Sequence, residues 1–237
     1  MGPEIIMYVL QNPKYKFPQD YFYFCRLDVD DSAVYVRADS PFKRIEDVVA
    51  EGKKRVVSVA TSRLPHPASI GMLALGDATG AKYNLVPYGG GNPTMVATLN
   101  GEVDCGVLPV AEPIKMGDKV RVLGVFNASN ALADRTGNAP SINQVFGTKI
   151  PDLYSSRAWA IHTEAADKHP DRFAKLNDTA KLVFADPSFK DVYSKTAGDW
   201  RQAAYGDRAV CTAYAEGMME LARRYEKLLS AKQKPRS

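Results

Sequence analysis

The chain has 237 residues, enough to bury a substantial core as one large domain or two small ones. With 45% hydrophobic and 24% charged residues it has the composition of an ordinary globular protein, and no apolar run approaches the roughly 20 residues of a membrane span. The net charge of +4, from 31 basic and 27 acidic residues, excludes a strongly basic nucleic-acid binder: the dense clusters, Lys53-Lys54-Arg55 and Lys232 to Arg236, carry no interleaved aromatics and read as surface and tail.

Residues 1–32 show no clear period: an apolar piece from Ile5 to Leu10, then Pro13, Pro18 and the aromatic patch Tyr21-Phe22-Tyr23-Phe24. The opening MGPEIIMYVLQNPKYKF has no basic segment followed by an apolar one and a small-residue cleavage site. The sequence as given is therefore expected either to be cytoplasmic or to begin downstream of a natural start. From Ala33 the pattern sharpens. Ala33 to Arg37 predicts a strand, and Asp39-Ser40-Pro41 a helix start with Ser40 as N-cap and Pro41 at the first helical position. That helix places Phe42, Ile45, Val48 and Val49 on one face and ends near Gly52.

A strand from Arg55 to Ala60, the loop Thr61 to Pro67 and a helix from Ala68 to Thr79 follow, closed by Gly80. Strand 83–88, helix 93–100, strand 103–108, helix 111–116 and strand 120–126 continue the alternation, which indicates parallel βαβ units and an α/β fold. Residues 127–152, rich in Asn, Gly, Pro and Asp, read as a crossing segment, and Arg157 to Ile161 as a strand. Two amphipathic helices close the chain. Residues 170–185 align Phe173, Leu176, Ala180, Val183 and Phe184; residues 207–231 align Tyr214, Met218, Leu221, Tyr225 and Leu228.

Catalytic and metal motifs are missing. There is no GxSxG, HExxH or GxxxxGK[ST], and Gly89-Gly90-Gly91 does not fit the dinucleotide spacing. Ser62, His66 and Asp104 make a triad only on paper. The cysteines, Cys25, Cys105 and Cys211, and the histidines, His66, His162 and His169, are scattered without metal-ligand spacing. Neither a cofactor nor a metal is expected.

Binding signals are stronger. In LVPYGGGNPTMVATLNGEVDCG (85–106) a strand runs into three glycines, and Asn92-Pro93-Thr94 opens a helix. A glycine turn feeding a helix N-terminus offers bare N–H groups and the positive end of a dipole, an anion site. A second strand-to-helix turn, Thr61 to Ser69, falls in the neighbouring βαβ unit, and ligands of open α/β sheets sit at such turns. The candidate ligand-binding residues are Thr61, Ser62, Arg63, His66 and Ser69 in the first turn. The second contributes Tyr88, Gly89, Gly90, Gly91, Asn92 and Thr94, and Asp104 follows it. Each also has a structural reading: turn geometry for the glycines, helix initiation for Pro93 and Thr94, loop ordering for His66, backbone bonding for Asp104.

The order of these elements resembles the substrate-binding proteins of tripartite tricarboxylate transporters, the Bug or TctC-type receptors. The stretches that carry the likeness are Asp39-Ser40-Pro41-Phe42 with Glu46-Asp47-Val48, Pro65-His66, Val86 to Gly91, Gly101-Glu102-Val103-Asp104, Ile114 to Val125, and Asp186-Pro187-Ser188-Phe189 with Ala197-Gly198. The likeness runs from about residue 17 to the C-terminus. It implies a type II periplasmic-binding fold: two α/β lobes around a cleft that holds a small carboxylate, without catalysis. It implies a membrane permease of one large and one small subunit as partner, and a periplasmic location if a signal peptide precedes this chain.

Two departures are visible. The signal peptide and the glycine-rich first loop of the family are not present, so the first lobe is expected to be incomplete. Residues 1–32 would be its remnant and crossover, 33–126 a complete lobe, and 127–237 the returning part of the first lobe, whose bared helices invite homo-oligomer formation. Ser62-Arg63-Leu64 replaces the family's Gly-Ser/Thr before the histidine, and Arg63 would supply a charge-assisted contact. The alternatives are a repurposed interaction module that has lost its ligand site and, last, an α/β enzyme.

Overall fold

The computed structural model describes residues 1–11 and 13–230, so the basic tail Lys232 to Arg236 lies outside the described residues. The chain divides into two compact units, Met1–Val29 with Ser156–Glu220 and Asp30–Ser155 with Leu221 onward. The first unit opens with helix α1 (Pro3–Gln11) and strand β1 (Tyr21–Asp28). Its aromatic run alternates, so Phe22 and Phe24 are buried on one face while Tyr21 and Tyr23 are half-buried on the other.

The second unit follows in one sweep. Its elements are β2 (Asp30–Arg37), α2 (Ile45–Lys54), β3 (Val57–Thr61), α3 (Pro67–Thr79), β4 (Tyr83–Pro87), α4 (Gly91–Leu99), β5 (Cys105–Pro109), α5 (Ala111–Ile114), β6 (Val120–Val125), α6 (Ile142–Phe146) and β7 (Tyr154–Ser155). Strand order is β4-β3-β5-β2-β6, with β7 on β2. The expected parallel alternation holds for β3 with β4 and with β5. It fails at β2, which lies antiparallel between β5 and β6, so the sheet is mixed. No helix links β2 to a preceding strand of this sheet, so nothing imposes a parallel crossover there. Burial on both faces explains the unbroken apolar run of β2, where Ala33 to Val36 are all fully buried.

Helix α2 begins later than the Ser-Pro signal predicts. Ser40 Oγ accepts from Phe42 N at 3.2 Å within a turn, and the helix starts where Asp47 reaches back to the amides of Lys43 and Arg44 at 2.7 and 2.9 Å. Helix α3 ends as expected on Gly80, left-handed at φ +75°.

The chain then returns to the first unit with β8 (Ala158–His162), α7 (Thr163–Lys168), α8 (Pro170–Ala185), α9 (Pro187–Thr196), β9 (Ala203–Gly206) and α10 (Arg208–Arg224); α11 (Glu226–Leu229) ends the described part. Three antiparallel strands in the order β8-β1-β9 form the sheet. Phe22 and Phe24 pack edge-on against Phe173 of α8, each 5.4 Å between ring centres. Buried Asp28 holds this unit's strands together, accepting from Arg157 N at 2.6 Å and from Tyr193 Oη at 3.3 Å.

Three expectations change. The division falls at 155/156 rather than 126/127 because residues 127–155 stay bonded to the second unit's sheet. Leu153 N donates to Phe126 O at 2.8 Å, Ser32 N to Leu153 O at 2.9 Å, and Leu132 and Ala139 join that core. The stripe of α8 narrows to Phe173, Ala180 and Phe184, leaving Leu176 and Val183 40% and 39% exposed. The last helix breaks at Tyr225, and its buried line is Cys211, Ala215, Met218, Ala222 and Tyr225 rather than one through Leu221 and Leu228.

Candidate functional site

Parallel strands put all their helix starts at one end of the sheet, and both predicted turns lie there. Thr61 pairs with Pro87, and the Tyr88 amide donates to Thr61 O at 2.9 Å, so the turns after β3 and β4 are adjacent.

In the first turn most of the expected polar groups serve the loop itself. Thr61 and Ser69 are fully buried, with their hydroxyls 2.7 Å apart and 3.2 and 2.9 Å from Arg63 O, so that one hydroxyl donates to the other and the second donates to the carbonyl. His66 caps α3, its Nδ1 accepting from Ala68 N at 3.1 Å. That bond fixes the neutral ring with its proton on Nε2, which lies 3.5 Å from Ser155 Oγ on β7. Burial, with the Arg63 charge adding to it, pushes the His66 imidazole down to about 3. Ser62 is buried, whereas Arg63 stands in solvent.

The second turn is built differently. Gly89 and Gly90 have φ of +75° and +151°, a backbone path that side chains oppose. Gly90 is the N-cap of α4 and brings no side chain to close it. Thr94 is used internally, its buried hydroxyl donating to Gly90 O at 2.7 Å and its amide to the same oxygen at 3.2 Å. Among the described residues no acceptor is found for the amides of Gly91 and Asn92. The Tyr88 hydroxyl leans on Glu102 at 3.4 Å. Below this turn α4 lies close on the sheet, since a Cβ on Gly106 would overlap the Tyr35 ring, and Thr98 Oγ1 meets Tyr35 Oη at 3.3 Å.

Asp104 is a correction. It precedes β5, at the opposite end of the same sheet, and acts as a structural anchor. Its carboxylate takes Arg55 Nη1 and Nη2 at 2.9 and 2.8 Å, with Ser58 N and Oγ both at 2.8 Å. The guanidinium first, then these Ser58 bonds, hold the carboxyl down to about 2 against the opposing effect of partial burial.

Sequence reading missed a third turn, after β5. Ala111 N donates to Asp30 Oδ1 at 3.0 Å, and Glu112 approaches Gly91: a Cβ there would stand 3.9 Å from Glu112 Cγ. The signal was present in Leu108-Pro109-Val110-Ala111-Glu112, another strand running into a helix start. Beside it Asp31, 6% exposed, accepts from Asn127 Nδ2. Burial, reinforced by Asp30 and Asp152, pushes this carboxyl up to about 7 even though the Asn127 bond acts the other way.

The fold is similar to that of a TctC solute-binding protein from Polaromonas, with 18% identity and a TM-score of 0.73, covering 97% of this chain and 76% of that one. It is similar also to MatC from Rhodopseudomonas palustris, solved with bound malate, at 15% identity and TM-score 0.67 over 97% and 76% of the two chains. A further R. palustris protein, solved with adipate, shares 18% identity at TM-score 0.63 over 90% and 69%. At these identities the likeness is one of fold. No curated protein sequence matches the chain. The family model described as tripartite tricarboxylate transporter family receptor, TctC, matches residues 5–205. Its members are periplasmic solute receptors rather than enzymes. On that match, which takes in well over half its length, the chain belongs to the TctC family of tripartite tricarboxylate transporter receptors.

Proposed function

We propose that this protein captures a small organic acid on the turn after β4 and delivers it to the permease subunits of a tripartite tricarboxylate transporter, in the periplasm. The observation that carries the reading is the uncapped start of α4, where the Gly91 and Asn92 amides have no acceptor among the described residues. Amides at a helix N-terminus, aligned with the dipole, bind carboxylates without any bound cation. Gly89 and Gly90 let the backbone approach the ligand closely, and exposed Arg63 on the neighbouring turn adds a charge-assisted donor. Thr61, Ser69, His66 and Thr94 hold these two turns in shape, and Ser62, Tyr88 and Asn92 stand in them as the side chains proposed to meet the ligand's far end. Malate and adipate in two structurally similar proteins make dicarboxylates the first acids to try.

The test is a thermal-shift and calorimetric screen of mono-, di- and tricarboxylates and aromatic acids. An acid at a hundred times its dissociation constant raises stability by about 2.7 kcal/mol. A folded protein that no acid stabilises overturns the proposal.

A further inference from the structure

We propose that the outer edge of β8 in the first unit pairs with the same edge of a second copy of this chain, making a two-fold dimer through a continuous sheet. The pairing is independent of the carboxylate site. Strand β8 ends the order β8-β1-β9, so among the described residues it has a strand partner on one side only. Leu27 N donates to Arg157 O and Thr163 N to Asp20 O, which turns the odd-numbered residues of this stretch towards β1. By alternation the backbone groups of Ala158, Ala160 and His162 point outwards. Edge strands are normally blunted by lysine, proline or inward charge, and the sequence AWAIH carries no lysine, proline or carboxylate. Its large apolar side chain is in solvent, Trp159 being 46% exposed. Strand β9, at the other edge, is half-buried from Ala203 to Tyr205.

The occupant is a second copy because the edge is its own complement when read backwards. Two such strands, antiparallel about an axis at Ala160, set each Ala160 against the other and each His162 amide against the second copy's Ala158 carbonyl. The alternate positions then place Trp159 across from the second copy's Ile161. That is an aromatic–β-branched pair on the face that already holds Phe22 and Phe24. On the opposite face the alanines are small where Tyr15, 52% exposed and edge-on to His162 at 5.4 Å, needs room. A hollow of about 410 Å³ between Tyr15, Tyr21, Ala160, Ile161 and His162 opens there. Charge obeys the same symmetry. Arg157, which meets Asp28 yet stays exposed, precedes the strand, and exposed Glu164 follows it. Antiparallel copies bring each guanidinium beside the second copy's carboxylate, whereas parallel ones would set like beside like.

Sedimentation and light scattering on the whole chain, across about 1–200 µM, test the pairing. The wild type should pass from monomer to twice the 26.0 kDa chain mass. A dissociation constant of about 10 µM suits an interface centred on one short strand. Ala160→Pro removes an amide that faces away from β1, so the fold should stand while dimerisation weakens at least about tenfold. Trp159→Lys, which puts a charge on the edge, should weaken it as much. Cross-linking reads the register. All three native cysteines are buried, so an introduced one reports alone. Ala160→Cys, with paired Cα atoms about 5.5 Å apart, should form an intermolecular disulfide under mild oxidation by diamide. Ala158→Cys, roughly 14 Å from its own copy, should not. A wild type monomeric over the whole range overturns the proposal, whether or not the edge takes up some other strand. So does a dimer that survives Trp159→Lys, or one that links through Ala158→Cys as readily as through Ala160→Cys. These two readings decide the matter even if Ala160→Pro does not fold.

Discussion

The two ends of the second unit's sheet treat their polar groups in opposite ways. Where β3 and β5 begin, Asp104 is surrounded by donors from Arg55 and Ser58, and Arg55 Nε also meets Glu51 at 2.7 Å. Where β4 ends, the first amides of α4 have no acceptor among the described residues. The same strand direction produces both. Helices that start at one end bring partial positive charge and unpaired N–H groups there, while the far end receives helix C-termini, which cations such as Arg55 complement. Polar groups saturated within the chain supply stability; those left open are available to a partner. A candidate site is therefore better located by what is unpaired than by how many polar residues gather.

The sharpest way to break this contrast is Gly90→Val. A β-branched residue at φ +151° must shift the turn, displacing the amides that would meet the ligand. Loss of acid binding by a hundredfold or more is expected, against a stability cost of about 1–3 kcal/mol. Retained binding in calorimetry would show that the open amides are not the site. The mirror experiment is Asp104→Ala. Removing the anion leaves the Ser58 amide and hydroxyl without their acceptor at a half-buried position, while Arg55 keeps Glu51 and solvent, and urea unfolding should show a loss of about 2 kcal/mol at pH 7. Acid affinity, measured on the folded fraction, should not change.

Much of this was legible in the chain. The strand–helix alternation from 33 to 126, the Gly80 stop and the glycine turn all follow from local chemistry that no tertiary contact overrides. What escaped depends on distant partners. The antiparallel insertion of β2 and the allegiance of 127–155 are decided by strand pairing and by Leu153 bonding across the chain to Ser32 and Phe126. The α4 helix is too short to show a period, yet its seat on Gly106 fixes where the site lies. Asp104 looked like a site residue because its position on the sheet, one strand-length from the turns, is invisible without the register. His66 was legible as a residue of the turn, but its work as a cap needed coordinates.

That cap makes the open end of the sheet sensitive to acid in its own window. His66 is held neutral, its pKa lowered from the ordinary 6.5 to about 3. The unfolded chain therefore binds a proton that the folded one refuses. Its contribution to stability is full above about pH 6.5 and falls as pH drops towards 3, reaching a loss of about 2 kcal/mol by pH 5. Asp104 at the closed end behaves otherwise: its lowered pKa protects the fold until pH falls below about 4 and towards 2. Replacing His66 with Asn keeps an acceptor for the Ala68 amide and removes the titration. Relative to wild type, this variant should gain about 2 kcal/mol between pH 8 and pH 5 in urea unfolding. Parallel wild-type and variant curves would mean that His66 is not held neutral.

Asp31 acts with the sign reversed. Its folded pKa is raised to about 7, so between pH 4 and 7 the native carboxyl keeps a proton that the unfolded chain has already released. Stability from this group is full below about pH 4 and declines as pH rises through 7, because the charged form is buried beside Asp30 and Asp152 and the Asn127 amide that bonds it does not offset that burial. From pH 4 to 6.5 the slope opposes that of His66, so the wild-type curve is flatter than either group alone would make it. Asp31→Asn keeps an oxygen for the Asn127 amide and abolishes the charge. It should leave stability at pH 5 nearly unchanged and raise it by about 3 kcal/mol at pH 8, where the wild type must bury the ionised carboxyl. An Asn variant no more stable than wild type at pH 8 would show that this corner tolerates a buried carboxylate as readily as the closed end tolerates Asp104. The distinction between saturated and open ends would then no longer extend to Asp31.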